Sequence, residues 1–349
     1  MKTNIRIGNK YIDPGQPVFI IAEAGVNHNG SLKMAKKMVD AAKSSGADAV
    51  KFQTFKTENL VTVNAPKASY QKITVSAKSQ FEMLKSLELS ESNFVELFNY
   101  CKKKKIIFLS TPFDPESAEF LYKLGVPLFK ISSGELTNTP LLIQIARYKK
   151  PIILSTGMST LREVEEAVKA IYSTGNKKLI LLHCTSNYPA KFQDVNLKAI
   201  ETLRKVFKVS VGYSDHTEGI HVSIAAIAIG ACVIEKHFTL DKNLQGPDHK
   251  SSLEPEELHE MVKNIRVLEK AMGSGVKVPA KSENEVKKIS RKSVVASKDI
   301  EKGVRLTENM LVLKRPGIGI EPKYLNKIIG KRLRFNVEKD CVFTRDLIQ

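Results

Sequence analysis

Short apolar runs alternate with segments of helical period from Val18 to about Met272. Each run is rich in β-branched residues and too short for a helix, which is typical of repeated βα units that form a parallel sheet. The eight runs that we predict as strands are Val18–Ala22, Ala49–Phe52, Ile106–Leu109, Leu128–Ile131, Ile152–Leu154, Leu179–Leu182, Val209–Val211 and Cys232–Ile234. Eight βα units within about 255 residues fit an α/β fold of the (β/α)8 TIM-barrel type better than an open sheet.

The segments between these runs predict helices, among them Ser31–Ser45, Glu163–Tyr172 and Pro255–Ala271. An insertion, Thr54–Ser90, separates the second and third strands and contains a polar stretch at Asn64–Lys78. Because an insertion after a barrel strand lies at the mouth of the barrel, we predict that this one acts as a lid.

The pattern changes after the last predicted helix. Residues 273–290 are polar, charged and poor in large apolar side chains, which is typical of a linker. Residues 291–349 contain two short predicted strands, Ser293–Ala296 and Met310–Lys314, several turn signals and a terminal Val342–Leu347 segment. We therefore predict a barrel domain, 1–272, and a small β-rich domain, 291–349, that has little core of its own.

Composition excludes several classes of protein. Hydrophobic residues make up 42% of the 349 residues, which is enough for a sizeable core. Residues 1–17 lack the apolar region of a signal peptide, and no stretch offers about 18 uncharged apolar residues, so we expect a cytoplasmic protein that does not enter a membrane. The four cysteines are scattered and form no CxxC pair, which argues against a zinc knuckle or a disulfide framework.

The formal net charge of +18 would suit a nucleic-acid partner. However, the lysines are spread along helices, and neither a binding motif nor interleaved aromatic residues accompany them. We interpret the charge as a solvated lysine-rich surface, whose field would also favour an anionic small substrate.

Polar residues follow nearly every predicted strand. In a TIM barrel the chemistry lies at the carboxyl ends of the strands, so these residues indicate an active site. Two lysines and several hydroxyls in this set suit one phosphate and one carboxylate, because ammonium groups act as point charges and hydroxyls donate without adding charge. They are Lys51, Lys130, Thr111, Ser133, Ser155 and Ser214. The alternative is that both lysines form structural ion pairs with Glu23, Glu135 or Glu235.

Two histidines, His216 and His237, end neighbouring predicted strands. Their imidazoles would reach one divalent cation and leave other coordination positions to oxygen ligands, which favours Mn²⁺ or Mg²⁺ over structural zinc. The alternative is that each is a hydrogen-bonded core residue. The carboxylates of Glu23, Glu135 and Asp248 would bind sugar hydroxyls or move a proton, unless they cap helices or pair with lysines.

Ten motifs together resemble the N-acetylneuraminate (sialic acid) synthase family, which includes N,N'-diacetyllegionaminate synthases. They cover almost the whole chain, and nearly all of them lie at predicted strand ends. The motifs are IIAEAGVNHNG (20–30), VKFQTF (50–55), FLSTPFD (108–114), FKISSGEL (129–136), ILSTGM (153–158), LLHCTSNYP (181–189), GYSDHTEG (212–219), EKHFTLDK (235–242), GPDH (246–249) and KRPGIGI (314–320).

The resemblance implies a TIM barrel with a carboxyl-terminal antifreeze-like (SAF) domain, in a domain-swapped homodimer. It also implies roles for individual residues. Phosphoenolpyruvate would be bound by Lys51, Thr111, Lys130, Ser133, Ser155, Ser186 and Ser214. Manganese would be bound by His216 and His237, and Glu23 would transfer a proton. The sugar would be bound by Gln53, Glu135, Tyr188, Asp248 and, across the dimer, Arg315.

One departure concerns the residue after the HCT triplet, where some relatives carry Asn. This chain has Ser186 followed by Asn187, so either could face the phosphate.

The implied reaction joins phosphoenolpyruvate to an open-chain N-acylated mannose with release of phosphate. N-acetylmannosamine is our preferred sugar, and 2,4-diacetamido-2,4,6-trideoxymannose is the alternative. More distant alternatives are a metal-dependent aldolase or isomerase on the same barrel, a carbohydrate- or ice-binding protein, and a basic nucleic-acid binder. The polar strand ends argue against the non-enzymatic readings, because a passive scaffold has no reason to place lysines and histidines in the barrel mouth.

Overall fold

A computed structural model describes residues 5–8, 10–13, 15–68, 75 and 77–349. It divides the chain into two compact units, residues 1–273 and 274–349. This division lies close to the predicted start of the linker at residue 273.

The first unit is a nearly closed (β/α)8 barrel, as predicted. Its eight strands pair in the order β5-β4-β3-β10-β9-β8-β7-β6, and every pairing along that order is parallel. The strands are β3 (Phe19–Gly25), β4 (Ala49–Thr54), β5 (Ile107–Pro112), β6 (Phe129–Ile131), β7 (Ile152–Ser155), β8 (Leu179–Cys184), β9 (Ser210–Asp215) and β10 (Val233–His237).

All eight predicted strands are present, and most continue further towards their carboxyl ends than predicted. The extension arises because polar residues at these ends remain in the sheet and turn their side chains into the barrel. His237, for example, is the last residue of β10, three residues beyond the predicted end at Ile234.

The helices confirm the three segments named from periodicity. The first helix begins after Ser31, whose hydroxyl accepts a hydrogen bond from the Met34 amide, and the predicted Glu163–Tyr172 helix begins two residues earlier because Thr160 and Glu163 form a capping box. Among the described residues of the first unit the helices are α1 (Leu32–Ser44), α2 (Thr57–Leu60), α3 (Gln80–Leu87), α4 (Glu91–Lys104), α5 (Pro115–Leu124), α6 (Thr139–Arg147), α7 (Leu161–Ser173), α8 (Ala199–Phe207), α9 (His221–Ala228) and α10 (Pro255–Met272). No described helix has both the length and the apolar composition that crossing a bilayer requires.

Two hydrophobic layers hold the barrel. The larger lies between the strands and the surrounding helices, and the smaller fills the amino-terminal part of the barrel interior. An antiparallel hairpin of β1 (Ile5–Ile7) and β2 (Lys10–Ile12), which the sequence pattern did not predict, adds three buried isoleucines to the interior layer. The hairpin therefore packs at the end of the barrel away from the predicted chemistry.

The insertion Thr54–Ser90 contains α2 and α3. Part of its polar stretch, residues 69–74 and 76, lies outside the described residues. Met83, Leu84 and Leu87 of α3 form a small hydrophobic cluster with Val26 and Phe55. The insertion is thus packed on the barrel, and its role as a lid stays a prediction.

The second unit contains an antiparallel pair, β11 (Ser293–Ala296) with β12 (Leu311–Lys314), and further pairing through isolated bridges such as Val295 with Val342. Its helices are α11 (Asn284–Ser290) and α12 (Leu325–Ile328). The first of these lies inside the segment 273–290 that we predicted as a linker. The prediction that this small unit has little core of its own is wrong, because it buries a core of its own apolar side chains that includes Val294, Leu306 and Phe343.

Candidate active site

A cavity of about 450 Å³ lies at the carboxyl ends of the barrel strands. The predicted site residues that line it are Glu23, Lys51, Gln53, Thr111, Lys130, Ser133, Ser155, Ser186, Tyr188, Ser214, His216 and His237. These residues come from all eight barrel strands or the turns after them, so only the closure of the barrel brings them together.

Strand alternation explains why these side chains point inwards. In the register of the sheet, Glu23 on β3 pairs with Lys51 on β4 and with His237 on β10. Successive residues of a strand point to opposite faces, so Glu235, two residues before His237, also faces the cavity. The centre of the site is therefore built across three neighbouring strands.

Two buried lysines and two buried glutamates form one charge network. The Lys51 ammonium lies 2.6 Å from Glu23 and 3.8 Å from Glu235, and Lys130 lies 3.4 Å from Glu235. All four side chains are at most 5% exposed. The structural ion pairs considered from the sequence are therefore present, with Glu23 and Glu235 but not Glu135 as partners.

Burial sets the protonation of this network. It raises the pKa of Glu23 to about 7, while Lys51 acts in the opposite direction and the Glu235 carboxylate adds to the rise. Burial alone would lower the pKa of Lys51, but its attraction to Glu23 and Glu235 outweighs burial and raises it. Near neutral pH Glu23 is thus poised to give or take a proton, which is the property of a general acid or base.

Hydroxyl groups surround the lysines. Lys51 donates a hydrogen bond of 3.1 Å to Thr111, and Ser214 donates one of 3.0 Å to Glu235. The hydroxyls of Ser155 and of Ser132, which lines the same cavity, are buried and have no hydrogen-bond partner among the described residues. A buried polar group without a partner costs free energy, and a bound ligand would remove that cost. These two hydroxyls are therefore available to donate to a ligand oxygen.

Gly157 makes room for three of the polar side chains. Its amide donates to the Ser133 hydroxyl at 2.9 Å. A Cβ at this position would lie 2.3 Å from the Ser186 oxygen, 2.7 Å from the Cys184 sulfur and 2.9 Å from the Ser133 oxygen. Only a residue without a side chain lets these atoms meet.

Gly25, the last residue of β3, also makes room for a side chain of the cavity. Its φ of +51° lies in the left-handed region, and the register between β3 and β4 shifts between Glu23 and Gly25. A Cβ here would lie 3.3 Å from a Glu23 oxygen. The irregularity sets the direction of the Glu23 side chain, and a side chain at residue 25 would crowd it.

His216 and His237 form an aromatic cluster with Tyr188. Their ring centroids are 5.5 Å apart, and the Tyr188 ring lies 4.2 Å from that of His216. The Nδ1 atom of His216 donates to the Thr185 carbonyl at 2.7 Å, which leaves a lone pair on Nε2. Burial lowers the pKa of His216 to about 4, so its imidazole is neutral, as a metal ligand must be.

These histidines fit a divalent metal with an open coordination sphere. The Nδ1 atom of His237 is buried and has no hydrogen-bond partner in the part of the chain that the structure describes, as expected of a nitrogen that binds a ligand. Within the described part of the chain, no group of three or more His, Cys, Asp or Glu side chains is arranged to hold a metal. A cation here would complete its shell with water or substrate oxygen, which suits Mn²⁺ or Mg²⁺.

Three predicted sugar-binding residues are not among the cavity lining. Glu135 is half-buried and accepts a hydrogen bond of 2.7 Å from Asn138. Asp248 is buried, and burial raises its pKa to about 6. Arg315 is exposed on the second unit. Their roles remain predictions.

The cavity also contains residues that the sequence did not assign to it. Glu235 was considered only as an ion-pair partner, although its spacing of two from His237 was a usable signal. Ser132, Cys184 and Met158 belong to the same strand-end motifs as predicted residues. By contrast, Ala68 and Gln80 come from the insertion, whose path periodicity does not predict.

Models of known families match both units of the chain. The model of the NeuB family matches residues 38–277, and that of the SAF domain matches residues 291–349. The chain is 53% identical to the N,N'-diacetyllegionaminic acid synthase of Campylobacter jejuni over 92% of this chain and 97% of that protein. It is 52% identical to the N,N'-diacetyllegionaminic acid synthase of Legionella pneumophila over 91% of each chain.

Among solved structures, the chain is similar to the N-acetylneuraminic acid synthetase of Leptospira borgpetersenii in complex with citrate. The TM-score is 0.74, and the identity is 38% over 82% of this chain and 95% of that chain.

Proposed function

The chain belongs to the NeuB family, and from this premise we propose that it condenses phosphoenolpyruvate with an N-acylated mannose-type aldose to give a nonulosonic acid and phosphate. The observation that carries the proposal is the cavity itself. It places two buried lysines and a set of hydroxyls beside two neutral histidines, so that an enol phosphate and an aldehyde would meet there.

The sugar that we propose is 2,4-diacetamido-2,4,6-trideoxymannose, which makes the product N,N'-diacetyllegionaminate. The support is the identity of 53% and 52% to two N,N'-diacetyllegionaminic acid synthases, against 38% to a sialic acid synthetase. The relatives therefore support the alternative sugar of the sequence analysis better than N-acetylmannosamine, which we preferred there.

Phosphoenolpyruvate would bind at the deep, cationic side of the cavity. Lys51 and Lys130 would attract its phosphate and carboxylate, and the free hydroxyls of Ser132 and Ser155 would donate hydrogen bonds to their oxygens. Thr111, Ser133, Ser186 and Ser214 line the same cavity and would complete this shell. Fixing the nucleophile in one orientation lowers the entropy cost of the reaction.

The sugar would bind above phosphoenolpyruvate, against Gln53 and Tyr188. Carbon three of phosphoenolpyruvate forms a bond to the aldehyde carbon, and the aldehyde oxygen takes a proton from Glu23 to become a hydroxyl, which leaves positive charge at carbon two. Water then adds to carbon two and returns a proton to Glu23, whose pKa of about 7 suits either direction of transfer. The carbon–oxygen bond to phosphate breaks as the new hydroxyl at carbon two passes its proton to the departing phosphate, which gives the keto group.

His216 and His237 would hold a divalent cation, Mn²⁺ or Mg²⁺. When bound, such an ion supplies Lewis acidity toward the aldehyde oxygen. The support is the lone pair on His216 Nε2 together with the unpartnered Nδ1 of His237.

A domain-swapped homodimer is part of the proposal. The second unit exposes Val286, Ile289 and Ile318, each at least 60% accessible, and Arg315. The Gly317 amide donates to the Lys288 carbonyl at 2.6 Å, so the segments that carry these residues lie side by side. Exposed apolar side chains beside a cation suit a subunit interface. In the dimer Arg315 would reach the sugar of the other subunit.

The test is phosphate release from phosphoenolpyruvate with each aldose in turn. We expect release with both sugars and a higher kcat/KM for the diacetamido sugar, with none in the absence of an aldose. Lys130→Met serves as the control, because it removes a buried cation of the proposed substrate site. An aldolase or isomerase would leave phosphoenolpyruvate unconsumed, and that outcome would refute the proposal.

A further inference from the structure

Asp215 and Lys236 form a buried ion pair directly behind the two histidines. The residues face each other in the register of β9 and β10, and the Lys236 ammonium lies 3.2 Å from an Asp215 oxygen. Each side chain is at most 1% exposed. Each residue immediately precedes a histidine of the cavity. Because side chains alternate along a strand, the pair points away from the cavity that His216 and His237 line.

The pair belongs to a hydrogen-bond network in which the Asp215 carboxylate has four donors. One oxygen accepts from the amide of Thr217 at 2.8 Å and from its hydroxyl at 2.7 Å. The other accepts from the hydroxyl of Ser223 on α9 at 2.7 Å and faces Lys236. A buried carboxylate with all these partners holds its surroundings in one arrangement.

This network fixes the backbone on both sides of His216. The hydrogen bonds from Thr217 to the Asp215 side chain span His216, so they fix the turn that carries its imidazole. Lys236 also donates to the Thr217 carbonyl, which ties β10 to the same turn. The strand that ends in His237 is thereby attached to the turn that carries His216.

We propose that the Asp215–Lys236 pair positions His216 and His237 for the divalent cation, setting the separation and orientation of the two imidazoles. This inference rests on the metal site of the proposed function. Neither residue touches the cavity, so both act through the histidines. Substitution of residues that hold metal ligands in this way typically weakens metal affinity by about 10- to 100-fold.

The main test is Mn²⁺ binding to the apoprotein without substrates, measured by the loss of the electron paramagnetic resonance signal of free Mn²⁺. The variant is Asp215→Asn/Lys236→Met, which leaves no unpaired buried charge and keeps an acceptor for Thr217. We expect its Kd for Mn²⁺ to rise about 10-fold or more. The KM for phosphoenolpyruvate is expected to stay within about two-fold, since the lysines and hydroxyls of that site are unaltered.

Ser223→Ala is a milder variant in case the double variant does not fold, and Ser117→Ala is its matched control. Each removes one buried hydroxyl, on the third residue of a helix, that donates to a buried aspartate, Asp215 or Asp114. We expect similar losses in Tm for both, but a weaker Mn²⁺ affinity for Ser223→Ala alone. Equal Mn²⁺ affinities in the two variants, or wild-type affinity in the double variant, would overturn the positioning role.

Failure of the positioning role can be told apart from failure of the proposed function. Wild-type apoprotein that binds no Mn²⁺ would overturn the metal site and the positioning role together. Phosphate release from phosphoenolpyruvate and aldose in metal-free buffer would then still support the synthase.

Discussion

The ammonium group of Lys51 lies 2.6 Å from a carboxylate oxygen of Glu23, and both side chains are buried. This pair joins the proposed substrate-binding cation to the proposed proton carrier. Binding of an anion at Lys51 would therefore change the electrostatic potential at Glu23. The two groups are so close that substrate binding and proton transfer influence each other. Substitutions that keep the shape of one partner and remove its charge are the informative ones.

Glu23→Gln is expected to lower turnover by at least about 10²-fold, because the amide cannot exchange the proton that a carboxyl group exchanges. Binding of phosphoenolpyruvate should persist, since both lysines remain. Steady-state phosphate release gives the first quantity, and the rise in Tm caused by phosphoenolpyruvate gives the second. Glu165→Gln, on an exposed helix surface, is the control. Turnover of Glu23→Gln near that of the control would exclude Glu23 as the proton carrier.

Glu235→Gln is expected to destabilise the ligand-free protein, because Lys130 and Lys51 lose a buried counter-charge. Breaking a buried ion pair from one side costs about 3 to 5 kcal/mol. An anion restores the balance, so phosphoenolpyruvate should raise the Tm of this variant more than that of the wild type. Differential scanning fluorimetry measures both shifts. Equal shifts would mean that Glu235 does not compensate the lysines in the empty site.

Gly157→Ala is expected to raise the KM for phosphoenolpyruvate by about 10-fold or more, because the new methyl group would displace the hydroxyls of Ser133 and Ser186. The fold should survive, since atoms at the edge of a cavity can move into it. Gly134→Ala is the matched control: Gly134 also lines the cavity, but a Cβ there would lie 3.8 Å from its nearest neighbour, the Ser132 hydroxyl oxygen. Parallel changes in both variants would show that the close approach at Gly157 has no role in binding.

The fold was largely predictable because each barrel strand is a continuous apolar run and each ends in polar residues. His216 and His237 could be identified for the same reason, since strand ends meet at one rim. The contribution of Ala68 and Gln80 was not predictable, because their position depends on how the insertion packs through Met83, Leu84 and Leu87. Periodicity carries no such information.

The charge network illustrates a second limit. Sequence reasoning treated the lysines either as ligands for an anion or as partners of glutamates. The structure shows them paired with glutamates, and this pairing is compatible with anion binding, because a substrate can replace or join a carboxylate partner. The geometry identifies Glu235 rather than Glu135 as the partner, because Glu235 lies within β10 and faces the cavity whereas Glu135 lies beyond the end of β6.

Arg315→Ala is expected to raise the KM for the sugar by about 10-fold or more, while the KM for phosphoenolpyruvate changes little, because a residue that contacts only the sugar adds nothing to the binding of the first substrate. Arg345→Ala, which removes another exposed arginine of the same unit, is the control. Mixing Arg315→Ala with a Lys130→Met variant should produce active hybrid dimers if the arginine acts across subunits. Hybrids with no more activity than the parents would refute that arrangement.

His28 should make the stability of the protein depend on pH. Its imidazole is 1% exposed, and burial lowers its pKa to about 4, whereas an unfolded histidine titrates near 6.5. Between these values the unfolded chain binds a proton that the folded protein refuses, so stability is lost as the pH falls from about 6.5 to about 4. The loss attributable to His28 is about 3 kcal/mol.

His28→Asn removes the titrating group. In the wild type the Gly30 amide donates a hydrogen bond of 3.1 Å to Nδ1 of His28, and the asparagine side chain still offers an acceptor for that amide. Urea unfolding at a series of pH values should therefore give a shallower decline for the variant. Parallel curves over this range would show that His28 is not protonated on unfolding.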